Sequence, residues 1–283
     1  MTLERFFYLF TKSYVLYPFL AGTVVSLIAA LIGVSLVQKR YSMIGDGLSH
    51  VGFASLALST AVGMAGSLWI TLPIVTLSAV FLLRLKESGK MKGDAAIAIL
   101  STAALAIGTI VAQKSTGLGG DVCNYMFGST SIFAMTPTDF WSTVILASGV
   151  LAIYLFFYQK FFLVSFDESF GKAIGVRVST YNTLLAVLTA ITIVIGMKMM
   201  GAMLISSLIV FPTLTAVRVC KTFRSVTIAS GILSVSTYVV GFALSIALST
   251  PPGATIVIVD IAVFLLFCLL GNSITHRKAK FER

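Results

Sequence analysis

The sequence predicts an all-α fold, a polytopic membrane helix bundle of about eight or nine transmembrane helices, and three observations carry that prediction. Apolar residues occupy 58% of 283 positions and charged residues only 11%, where a soluble domain is about a quarter charged. Mean hydropathy is +1.01. Apolar runs of about 20 residues, the length a helix needs to cross about 30 Å of hydrocarbon, recur along the chain.

In order, these runs lie near 15–38, 45–64, 67–85, 94–113, 138–160, 180–198, 201–219, 225–249 and 254–272. The sixth and seventh are nearly continuous between Gly196 and Gly201, so one of them is a candidate for a broken or re-entrant helix. Lysine and arginine sort the connections, because basic residues stay on the cytoplasmic side. Lys39 and Arg40, then Arg84, Lys86, Lys90 and Lys92, then Lys160, Lys172 and Arg177, then Arg218, Lys221 and Arg224, then the tail from Arg277 to Arg283, fall at every second connection. With nine spans the N-terminus is outside and the C-terminus inside. All of 1–283 reads as a single integral membrane domain. Met1 to Lys12 is amphipathic and the first run is long enough to remain in the membrane, so a cleavable signal peptide is not expected.

Two connections exceed a turn. Ser115 to Thr138 is glycine- and polar-rich, with Asp121, Tyr125 and Phe127, and reads as an outward loop holding a short helix. Val164 to Thr180 is cytoplasmic. Ser165 or Asp167 can cap a short helix near 165–177, with Phe170, Ala173 and Ile174 three and four apart and Gly175 as its stop. Such a helix either docks another protein or lies on the lipid headgroups.

Several functions are excluded by what the residues lack. The net charge of +10 comes from short basic clusters between apolar runs, without the continuous basic face that nucleic acid requires. Cys123, Cys220 and Cys268 have no paired spacing, so neither zinc knuckle nor disulfide framework is expected. No GxxxxGK[ST], GxSxG or HExxH pattern occurs, so the chain is not expected to be an enzyme. If ATP drives its work, the ATPase is another polypeptide. No permanently bound cofactor is expected.

The residues that could carry chemistry are few. Gly45-Asp46-Gly47-Leu48-Ser49-His50 opens the second span, and Asp46 and His50, four apart, share one helix face. A carboxylate and an imidazole together suit a divalent cation or a proton. Ser49 can donate to the Asp46 carboxylate or to a water. Asp94 begins the fourth span, where a helix start accounts for it. Asp260 lies deep in the last span, as a polar interhelical contact, as an ion-pair partner of Lys198, or on the ion path. Met197, Met199, Met200 and Met203 read as flexible packing near a helix break. Gly22, Gly33, Gly52, Gly201, Gly231 and Gly241 let helices approach closely.

Taken with their order, these segments resemble a known family, the manganese, zinc or iron ATP-binding-cassette permeases. Gly45 to His50 resembles its GDAxSHA signature, with Gly47 and Val51 where alanines are usual. Gly93 to Ile99, Asn124 to Ser129, Asp167 to Gly175, Gly201 to Pro212 and Pro252 to Val257 resemble its further motifs, and the likeness spans nearly the whole chain. The resemblance implies an importer-permease fold in a bacterial cell membrane. It implies that Asp46 and His50 lie on the metal path at the centre of a homodimer. It further implies that Asp167, Glu168, Phe170, Ala173 and Gly175 belong to a coupling helix that meets two copies of a cytoplasmic ATP-binding subunit. The cargo would be handed over by an extracytoplasmic metal-binding protein. Asp260 is outside the family pattern. A proton-coupled secondary transporter, with Asp46, His50 and Asp260 as a relay, is the alternative.

Overall fold

The computed structural model describes residues 12–64, 68–87, 93–115 and 135–281, with 86–87 and 270–281 as backbone only. Its described residues form α1 (Ser13–Gln38), α2 (Ile44–Ala61), α3 (Leu68–Glu87), α4 (Gly93–Lys114), α5 (Pro137–Phe156), α6 (Tyr158–Phe166), α7 (Glu168–Ala173), α8 (Val178–Met200), α9 (Ala202–Val219), α10 (Phe223–Leu248) and α11 (Pro252–Phe281). Eight are long and apolar enough to cross a membrane. The eighteen-residue α2 is not among them, because Asp46, His50 and its glycines and serines lower its hydropathy. Thirteen of its residues are nevertheless buried, so its polar groups are offset by packing against protein.

Two helices organise the rest. α1 packs on α5, α8, α9 and α10, while α2 packs on α3, α4, α8 and α9. Between lipid-soluble helices the hydrophobic effect offers little, so close backbone approach and interhelical hydrogen bonds hold the bundle. At Gly33 the α1 backbone comes so near α9 that a Cβ there would lie 2.0 Å from the Ile209 carbonyl oxygen. Ser35 pairs with Tyr154 of α5 at 3.1 Å, and Tyr238 of α10 donates to the Pro18 carbonyl at 2.9 Å.

The turns that lie wholly within the described residues are short and chemically specified. After α1, Arg40 takes a left-handed φ of 59°, and the N–H groups of Arg40 and Tyr41 return to the carbonyls of Val37 and Leu36, closing the helix as a Schellman motif. The break expected near Gly196 to Gly201 is a single residue. Gly201 has φ 91° and ψ 159°, a region open essentially to glycine alone, and it reverses the chain directly from α8 into α9. Gly196 makes room for Ile205 across that reversal. α10 starts with a capping box of Thr222 and Ser225.

One expectation is corrected here: the span placed at 138–160 ends at Phe156, and α6 begins after Phe157. The short helix expected near 165–177 is the six-residue α7, and the Asp167 carboxylate caps it by accepting from the N–H groups of Ser169 and Phe170, each at 2.9 Å. Gly175, at φ 81°, ends α7 as expected. The expected outward loop falls mostly outside the described residues, as do Cys123 and Asn124 to Ser129.

Candidate functional site

The Asp46–His50 pair forms as the helical spacing requires. Both lie in the first two turns of α2, with His50 Nε2 3.7 Å from Asp46 Oδ2. Their environments differ. The His50 side chain is 16% exposed and the Asp46 side chain 53%, so the carboxylate stands at the surface of the chain while the imidazole is set into it. The His50 Nδ1 is buried without a hydrogen-bond partner among the described residues. Nε2 is the ring nitrogen that faces the carboxylate, so it and the Asp46 oxygens are the lone pairs this face could offer a cation.

Ser49 does not serve Asp46 as expected. Its hydroxyl turns back to donate to the Gly45 carbonyl at 2.7 Å, and it pairs with the Ser206 hydroxyl of α9 at 3.1 Å. The Ser206 hydroxyl also lies 3.0 Å from the Ala202 carbonyl, so its one proton is divided between that oxygen and Ser49. Ser206 is therefore a polar neighbour of the site that the sequence reading missed. A serine in an apolar run carries no local signal, and only the packing of α9 on α2 brings it there.

Asp260 of α11 is 2% exposed and meets α9 at Ser207, next to Ser206 in the chain. Its Oδ2 accepts from Ser207 at 2.9 Å, while Oδ1 has no partner among the described residues. The proposed Lys198 partner is corrected: Lys198 donates to Asp139 at the start of α5, at 2.8 Å. Asp139 also takes the Thr136 hydroxyl, so that ion pair ties α5 to the end of α8 away from Asn182. Asp94 sits in the exposed first turn of α4. Met197, Met199 and Met200 are buried packing.

The segment expected to couple to an ATPase carries two kinds of side chain. Phe166, Phe170 and Ile174 are exposed apolar groups at the end of the bundle that carries Lys39. Glu168 is engaged with the bundle. Its carboxylate accepts from Lys39 Nζ at 2.7 Å and from Asn182 Nδ2 of α8 at 3.2 Å. Partial burial pushes the Glu168 carboxyl up, but the hydrogen bond and charge of Lys39, the Asn182 amide and the Lys172 charge outweigh it and hold the group below the usual carboxylate value. Ala173 and Gly175 are exposed at the C-terminal end of α7. Among the described residues, no three His, Cys, Asp or Glu side chains of the single chain converge on one point.

A model of the ABC 3 transport family matches residues 12–271. The manganese import system permease protein ScaB of Streptococcus gordonii is 26% identical, over 93% of this chain and 93% of its own length. The high-affinity zinc uptake system membrane protein ZnuB of Haemophilus influenzae is 28% identical, over 89% of this chain and 96% of its own. Among solved structures, PsaBC from Streptococcus pneumoniae in complex with Fab is similar with a TM-score of 0.83 at 26% identity, covering 94% of this chain and 95% of the matched one.

Proposed function

Because the chain belongs to the ABC 3 transport family, we propose that it is the permease subunit of an ATP-binding-cassette importer carrying a divalent transition metal into the cytoplasm. It is a multi-pass bacterial membrane protein, with eight helices long and apolar enough to span. The cargo is manganese, zinc or iron. A carboxylate and an imidazole suit all three, and relatives named for manganese and for zinc support the first two.

One observation carries the site assignment: the Asp46 carboxylate stands half-exposed, 3.7 Å from His50, on the otherwise buried helix α2. Facing lipid, a carboxylate would cost about 2.5 kcal/mol or more. That face therefore meets protein or water, and a second copy of the chain supplies both. Dimerisation doubles the pair to two carboxylates and two imidazoles, enough to replace much of a hydration shell around an ion in passage. The permease then works as a homodimer with two ATP-binding subunits at the α6–α7 end and an extracytoplasmic metal-binding protein at the other. Asp260, held by Ser207, acts as a polar contact between α9 and α11.

Metal uptake by the reconstituted complex tests the site. Asp46→Ala and His50→Ala should each abolish uptake while the folded dimer persists, and wild-type uptake in both refutes the assignment.

A further inference from the structure

Three segments remote in sequence meet at Lys39. Its ammonium donates to Glu168 of α7 at 2.7 Å and also to the Asn182 Oδ1 of α8, and Asn182 closes the triangle onto Glu168 at 3.2 Å. The Lys39 side chain is 6% exposed, against 47% for Glu168, so the cation is set inside and the acid reaches in to it. Lys39 is the cap residue of α1, in the short turn fixed by Arg40 and Tyr41. The next helix is α2, and Asp46 lies seven residues after Lys39.

We propose that Lys39 and Glu168 form a strut that passes displacement of α7 to the turn feeding α2, and hence to the Asp46–His50 pair. The inference rests on the function proposed above. It separates two roles in the coupling segment: the exposed apolar Phe166, Phe170 and Ile174 are left for the ATP-binding subunit, whereas Glu168, itself half-exposed, spends its carboxylate on Lys39 and Asn182 and is a positioning residue. A partly buried ion pair is not an efficient source of stability, since an apolar pair often does as well. A charge-assisted bond across three elements does supply a short, directional link. None of Phe166, Phe170 and Ile174 offers such a link, because all three are apolar.

The test uses the full complex in proteoliposomes, with Lys39→Met, which leaves Glu168 to water and to Asn182, and Lys39→Arg, which keeps the charge. Two quantities are read: the stoichiometry of the bound ATP-binding subunit, and metal ions taken up per ATP hydrolysed. Lys39→Met should bind the subunit normally and lose about tenfold in uptake per ATP, within the usual range for coupling between sites, while Lys39→Arg stays within about threefold of wild type. Wild-type uptake per ATP in Lys39→Met overturns the strut. Loss of subunit binding overturns it too, by placing the pair in the docking surface. If Lys39→Met aggregates, the doubly neutral Lys39→Met/Glu168→Gln chain is expected to show the same uncoupling, and wild-type coupling in it is equally fatal. A wild-type complex that takes up no metal overturns the proposed function and this inference with it.

Discussion

Replacing Gly33 by alanine puts the close contact of α1 with α9 to a quantitative test. The added Cβ would lie 2.0 Å from the Ile209 carbonyl oxygen and 2.9 Å from the Thr213 hydroxyl, where ordinary contact begins at 3.4 Å. The first obstacle is backbone, so relief requires the two helices to part by about 1.4 Å, the difference between those distances, rather than a side chain to turn. Overpacking of this kind costs about 1–3 kcal/mol, and alanine's better helix propensity returns at most about 1 kcal/mol. Set against the full propensity gain, the expected net loss is up to about 2 kcal/mol, a factor of up to about 30 in the folded-to-unfolded ratio. Gly149 is the control, since a Cβ there meets nothing within 4 Å, and Gly149→Ala should be neutral or stabilising by up to about 1 kcal/mol. Equilibrium unfolding in mixed micelles compares the two. Equal stability of Gly33→Ala and Gly149→Ala would refute the claim that helix approach at Gly33 is backbone-limited. A further consequence is local. Ile209 is three residues from Ser206, so parting the helices should also weaken the Ser49–Ser206 contact beside the candidate site.

Other expectations use the same unfolding measurement. Gly201→Ala forces an L-residue into φ 91°, ψ 159° and should cost about 1–3 kcal/mol; a neutral result would mean the α8–α9 reversal has another way to form. Asp260→Asn keeps an acceptor for Ser207 and should lose no more than about 1 kcal/mol, whereas Asp260→Ala strands that hydroxyl and should lose about 1–3 kcal/mol. Equal losses would show that the Ser207 bond contributes nothing. The Glu168 carboxyl titrates lower in the folded chain than in the unfolded one, so its contribution is present above the unfolded value of about 4.3 and is lost as pH falls through the folded one. The stability difference between wild type and Glu168→Gln should therefore hold at neutral pH and shrink in acid below about pH 4. A gap that is constant down through acid would place the effect elsewhere than in the charge.

The helices were legible because their signals are local. Length and hydropathy located the spans, Asp167 and Gly175 marked the limits of α7, and the four-residue spacing of Asp46 and His50 determined that they meet. What was not legible depends on which helices are neighbours. The sequence offered Lys198 to Asp260 because both were charged and unassigned, yet Lys198 ends α8 beside the start of α5, where Asp139 is nearer. Ser206 and Asn182 looked like filler among apolar and small residues, and each acquired a role only through a partner more than ten residues away, Ser49 for one and Lys39 and Glu168 for the other. The kink that separates α5 from α6 at Phe157 has no glycine or proline to announce it.

The modest hydropathy of α2 bears on how the protein is made. The helix that holds Asp46 and His50 is sheltered by α3, α4, α8 and α9, all of which are synthesised after it. Its companion Ser206 leaves the ribosome 157 residues later than Ser49. During synthesis α2 is thus a poorly lipid-soluble segment held beside α1 by a short basic turn, waiting for its neighbours. Four later helices must therefore be in place before the polar groups of α2 are covered by protein.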